Sequence, residues 1–129
     1  MTDKEYRDQK ARVRKYWDKW FSSIGMGWWQ IDLNWERDRE PDSWNTIGMT
    51  HCNWQYRTGD ITFYLPACVD LTDDQLEEAV VHEFVHILAM PIHDMRDDQA
   101  RDITEHTVTT IARAIIWARQ AGEKKAAAK

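Results

Sequence analysis

The segment "AVVHEFVHILAMPIHD" (79–94) contains His82, Glu83 and His86, with a further histidine, His93, just beyond Pro91. On a helix, residues four apart share a face, so His82 and His86 can aim imidazole nitrogens at one centre. Glu83 is turned about 100° from His82, which keeps it beside that centre instead of on it. This H-E-x-x-H spacing is the arrangement in which two imidazoles hold zinc and the glutamate serves as general base. Zinc lowers the pKa of a bound water to about 7 and polarises a carbonyl, while the glutamate moves the proton to a leaving amine. The sequence therefore predicts zinc as cofactor, His82 and His86 as metal ligands and Glu83 as the catalytic base. The flanking Ala79, Val80, Val81, Phe84, Val85, Ile87 and Leu88 are apolar nearly all round the helix. Such a helix is buried, and burying two imidazoles and a carboxylate without partners is costly.

A catalytic zinc needs a third protein ligand. His93 is near, but the metzincin pattern H-E-x-x-H-x-x-G-x-x-H asks for glycine at 89 and histidine at 92, where the chain has Ala89 and Ile92. His93 or Asp94 would have to reach the metal from a loop. Glu105 lies on a stripe with Val108, Ala112 and Ile115 that should face the core, and a carboxylate aligned with apolar residues needs a partner or a metal. Its neighbour His106 shares a more polar stripe with Thr110, Arg113 and Trp117. Glu105 is the expected third ligand.

The elements that must position these groups read as α+β. Apolar positions at Tyr6, Val13, Trp17, Trp20, Phe21 and Ile24 predict a helix over about 3–22. "WWQIDLNW" (28–35) alternates as a strand, with Trp29, Ile31, Leu33 and Trp35 on one face. "IGMTHCNWQY" and "ITFYLPACV", separated by "RTGD", predict a hairpin turning near Gly59, with Cys52 opposite roughly Leu65. Pro66 inside the second arm places that arm at a sheet edge. "LTDDQL" (71–76) carries a capping box, Thr72 with Gln75, and a staple, Leu71 with Leu76. The helix it opens should run from about Asp73 to Ala89 and stop before Pro91. A last helix is expected from about Gln99 to Ala121, ended by Gly122, with 123–129 as a disordered tail. Residues 1–122 read as one domain.

H-E-x-x-H followed by a glutamate on a second helix resembles the gluzincin metallopeptidases. In their aminopeptidase branch eighteen residues separate the second histidine from that glutamate, as they do between His86 and Glu105. The resemblance spans about residues 60–117. It implies a minimal zincin-like domain with a small, mostly antiparallel three-stranded sheet, His82, His86 and Glu105 as zinc ligands, and hydrolysis of peptide bonds with Glu83 as base. Because zincin substrates pair with the sheet edge beside the active helix, it also implies Ile61, Thr62, Phe63, Tyr64 and Leu65 as the substrate-aligning strand. The compact size is similar to small metallopeptidase-like proteins of phages and prophages, and a third reading of the chain is a phage regulator that acts by proteolysis of one cognate protein. The chain lacks the G-x-M-E-N exopeptidase motif. It also has Thr109 where the thermolysin-like branch places an aspartate that orients a zinc histidine. Support for the histidines is left to Asp70, Asp94 or a backbone carbonyl, and an oxyanion partner to Tyr56, Tyr64, His51, His93 or Arg101.

Composition narrows the setting. The 129 residues carry a formal net charge of −5, which speaks against a general nucleic-acid binder. No run reaches the ~18 apolar residues of a membrane span, and the charged start is unlike a secretory signal. The two cysteines, Cys52 and Cys68, lack metal or disulfide spacing and fit reduced thiols in a cytoplasmic protein. The expected partner is a peptide or protein substrate, and the expected state a monomer. Eight tryptophans suggest a core or cleft built of large rings. The opposing reading is a non-catalytic zinc-stabilised domain whose basic, aromatic N-terminal helix binds a partner protein. A structural site would normally close with four protein ligands, whereas three ligands and a placed Glu83 favour catalysis.

Overall fold

Thr2 opens the first helix, α1 (Asp3–Trp20), with a reciprocal capping box. Its hydroxyl accepts from the Glu5 amide, and the Glu5 carboxylate accepts from the Thr2 amide. The computed structural model describes residues 1–93 and 98–128, the side chains of 93 and 98–100 excepted. A short 3-10 turn (Met26–Trp28) leads into β1 (Gln30–Glu36), followed by β2 (Gly48–Asn53) and β3 (Thr58–Tyr64). Then come α2 (Leu65–Cys68), α3 (Asp73–His93) and α4 (Asp98–Ala127). The architecture is α+β, four helices with one three-stranded sheet.

The sheet is mixed, in the order β1-β3-β2, where a mostly antiparallel one was expected. β2 and β3 pair antiparallel as a hairpin, but β1 runs parallel to β3, with Leu33 opposite Ile61 and Trp35 opposite Phe63. Two sequence readings changed here. The hairpin turns through 54–57, where Arg57 takes the left-handed conformation (φ 54°), and its guanidinium lies 4.1 Å from the centre of the Trp28 ring. Gly59 instead sits within the strand opposite Cys52, because a Cβ there would run into the His51 carbonyl and the Cys52 side chain. The second arm ends at Tyr64, and Pro66 falls in the first turn of α2, where a missing N–H costs nothing.

Those two changes move the edge. β3 is the middle strand, paired on both sides, so the expected substrate-aligning segment has no free edge. Ile61, Thr62, Phe63 and Tyr64 lie within β3, and Leu65 begins α2. Ile61, Phe63 and Leu65 are fully buried. β2 and β1 are the outer strands.

Helix α3 is the centre of the packing, touching α1, α4 and β2. Its capping box forms as expected, with Thr72 N–H on Gln75 Oε1 (2.9 Å) and Gln75 N–H on Thr72 Oγ1 (3.2 Å). It continues through Pro91 to His93. Proline's fixed φ is helical, and this close to the end it forfeits one bond. Likewise α4 passes through Gly122 to Ala127, so 123–127 extend the helix where a tail was expected. Gly122 costs about 1 kcal/mol against alanine, and good helix formers flank it.

The core joins Val13, Trp17 and Trp20 of α1 to Leu76, Val80, Phe84 and Ile87 of α3 and to Val108 and Ala112 of α4. Trp17 meets Phe84 edge-on with ring centres 4.8 Å apart and stacks on Phe21 at 5.4 Å. The tryptophans divide: Trp17 and Trp20 are core, while Trp28, Trp44 and Trp117 are largely exposed. Neither cysteine is in a disulfide, and burial pushes the Cys68 thiol up to about 11, which keeps it protonated.

Candidate metal centre

His82 and His86 leave α3 from one face, one turn apart, and their rings meet edge-on with centres 4.7 Å apart. Their Nε2 atoms are 3.0 Å from each other. Glu105, on the facing turn of α4, completes a triangle: Oε1 is 2.8 Å from His82 Nε2 and Oε2 is 3.2 Å from His86 Nε2. One ligand atom from each of the three lies within 4.8 Å of the others, a group that could hold a metal ion.

The donor set tests well against zinc. Zn–N and Zn–O bonds of about 2.0–2.1 Å in a tetrahedron put neighbouring ligand atoms roughly 3.3 Å apart; the two Nε2 atoms stand 3.0 Å apart, and each has one Glu105 oxygen, Oε1 for His82 and Oε2 for His86, at 2.8–3.2 Å. Two imidazoles and a carboxylate are typical zinc ligands, and three leave one position open. Hydrogen bonds from His82 and then His86 keep the Glu105 carboxyl far below the usual carboxylate range. Burial acts to lower His86, but the Glu105 hydrogen bond and the charges of Glu83 and Glu105 outweigh it and raise His86.

Val108 and Ala112 of the expected stripe are fully buried, and Glu105 stands at its border, half-exposed towards the cleft. His106 is exposed and outside the cluster. The His93 side chain and Asp94, the loop alternatives, lie outside the described residues.

Glu83 points from the same helix to the sheet and is only 7 % exposed. Thr50 of β2 donates its hydroxyl to Glu83 Oε2 at 2.6 Å. Burial raises the Glu83 carboxyl above its ordinary value, against the Thr50 hydrogen bond and the nearby His86 and His82, which act to lower it. Thr109, one turn beyond Glu105, brings Oγ1 to 3.4 Å from His82 Nδ1. The residue that departs from the thermolysin-like pattern is therefore itself the neighbour of that ring nitrogen. Asp70 does not line the site.

These groups open on a cleft of about 910 Å³ between α3, α4 and β2. Residues 46–52 line it from β2 and the segment before it, His82, Glu83, His86 and Glu105 from the helices, and Glu78 and Arg113, paired at 2.7 Å, line it as well. Of the oxyanion candidates that can be placed, His51 lines this cleft, while Tyr56, Tyr64 and Arg101 do not. Ile61–Leu65 are likewise absent from its walls. Gly48, Thr50 and the Glu78–Arg113 pair were missed in the sequence, since nothing local joins 48–50 to Glu83. Thr109 carried a usable signal, as it shares a helix face with Glu105. Among the described residues, no helix is long and apolar enough to cross a membrane. Comparison with protein-family models, with curated proteins and with solved structures finds no match to the chain.

Proposed function

We propose that the chain is a zinc-dependent metallopeptidase that hydrolyses peptide bonds with His82, His86 and Glu105 as metal ligands and Glu83 as general base. One observation carries the reading. Three convergent ligand atoms share a cleft with a buried glutamate that no apolar core would tolerate without use. Zinc, when bound, supplies Lewis acidity, lowering the pKa of water to about 7 and polarising the scissile carbonyl. Glu83 takes the proton of the attacking water and delivers it to the leaving nitrogen. Its raised affinity for a proton suits both halves of that transfer.

Peptide alignment falls to β2 in this proposal. It is an outer strand, and residues 46–52 run along the cleft wall, so an extended peptide can add to it by main-chain hydrogen bonds. The test is metal analysis of wild type and Glu83→Gln together with cleavage of a diverse peptide library. Wild type should bind one zinc and cleave. Glu83→Gln should keep the zinc and lose about 10²- to 10⁴-fold in rate. Stoichiometric zinc with no cleavage by wild type would leave a zinc-stabilised interaction module as the function, and undiminished cleavage by Glu83→Gln would overturn the mechanism.

A further inference from the structure

We propose that Thr50 is the positioning residue for Glu83, and that Gly48 is glycine because the Glu83 side chain occupies the space a side chain there would fill. The inference rests on the reading of Glu83 as general base. A helix fixes where Glu83 starts but leaves its long side chain several torsions to choose from. Strand β2 removes that choice in two ways. The Thr50 hydroxyl donates to Oε2 at 2.6 Å, and with Glu83 only 7 % exposed, bulk water is poorly placed to replace it. A Cβ on Gly48 would stand 2.9 Å from Glu83 Cγ, 3.0 Å from Cδ and 3.1 Å from Oε1. The bare backbone at 48 is thus a wall against which the carboxylate lies.

Gly48 and Thr50 are two apart on a strand, so they present to the same side, here towards α3. The hydroxyl takes one carboxylate oxygen. The other, Oε1, has no hydrogen-bond partner among the described residues and belongs to a side chain that lines the cleft. One oxygen is held and one is left to receive a proton. Because β2 is also the outer strand along the cleft, the strand proposed to seat the peptide is the one that aims the base.

The experiment uses the zinc-loaded full chain with Thr50→Val, Thr50→Ser and Gly48→Ala. Valine keeps the β-branched shape and removes the donor. Thr50→Val should lower kcat about tenfold to a hundredfold, the scale of a misplaced group, with KM within about twofold and zinc stoichiometry unchanged; Thr50→Ser should recover most of it. Gly48→Ala should lower kcat in the same way with the hydroxyl still present. Crystal structures of zinc-loaded wild type and Thr50→Val supply a readout independent of turnover, in which the Glu83 carboxylate should leave its place in the variant. Wild-type kcat in Thr50→Val, serine as impaired as valine, or an unmoved Glu83 carboxylate would each overturn the proposal. Should wild type cleave nothing, the base reading fails, and the Glu83 position in the Thr50→Val crystals still decides whether Thr50 holds it. Should Thr50→Val not fold, Thr50→Ala provides the same loss of donor in a smaller side chain.

Discussion

Glu105 on α4 reaches both imidazoles of α3, with Oε1 2.8 Å from His82 Nε2 and Oε2 3.2 Å from His86 Nε2. One carboxylate thereby ties together two helices that also share the apolar core through Val108, Ala112 and Ile116 of α4. A metal at this point would clamp the helices as well as serve chemistry, since it binds the folded arrangement and not the separated chains.

Zinc should therefore raise thermal stability in wild type. By mass action the gain is about 4 kcal/mol at a thousandfold excess over Kd. Glu105→Ala removes one of three ligands and the bridge, so its zinc-induced rise in Tm should largely vanish and its zinc affinity fall by orders of magnitude. Melting curves with zinc and with a chelator check this. Full zinc affinity in Glu105→Ala would remove Glu105 from the ligand set and point to His93.

The metal-free protein should respond to pH in a defined sense. Glu105 is lowered by its hydrogen bonds to His82 and His86, so its contribution is present above its ordinary value of 4.5 and disappears as acid titrates it in the fold. His86 is raised in the fold, so its contribution is full below its ordinary value of 6.5 and is lost as pH climbs through the raised value. Glu83, raised by burial, also binds protons more readily folded than unfolded and adds to the loss as pH rises above 4.5. The Glu105 and His86 contributions are thus both full between roughly pH 4.5 and 6.5 without metal, and Glu83 tilts that window toward its acid end. With zinc present the trend should reverse above that window, because the metal takes neutral imidazoles. Melting temperatures from pH 4 to 9, with chelator and with zinc, should diverge on the alkaline side. Parallel curves would mean that the histidines do not bind metal.

What could be read from the sequence divides along physical lines. His82, Glu83 and His86 are fixed by helical periodicity, a local property, and the capping box at Thr72 and Gln75 marks their helix. Glu105 could be singled out because a carboxylate beside a stripe as apolar as Val108 and Ala112 needs a reason. Strand order was not local. Pro66 reads as an edge marker only if it lies in a strand, and it opens α2 instead. Gly59 reads as a turn residue, yet its lack of a Cβ is needed against His51 and Cys52, while Arg57 takes the left-handed position. From those two misplacements followed the wrong edge: the strand expected to align substrate is the middle one of the sheet. Thr50 and Gly48 were invisible because their meaning depends on Glu83, more than thirty positions away.

A last prediction concerns the other buried carboxylate of α3. Glu77 is 5 % exposed and faces α1, where Trp20 Nε1 donates to its Oε1 at 2.8 Å and Lys19 Nζ lies 2.7 Å from the same oxygen. The Trp20 ring is itself buried, with the Arg119 guanidinium 4.7 Å from its centre. Trp20→Phe keeps an aromatic ring but deletes the N–H, leaving the carboxylate to Lys19 alone. An under-satisfied buried polar group costs about 1–3 kcal/mol, and the smaller ring adds a cavity term, so the total should lie toward the upper end. Since neither residue lines the cleft, zinc stoichiometry should not change. Urea unfolding of wild type and Trp20→Phe, with zinc titrations of both, reads the two effects separately. A lower urea midpoint with unaltered zinc binding is expected. Lost zinc binding at unchanged stability would mean that the α1–α3 contact positions the metal ligands instead of only supporting the fold.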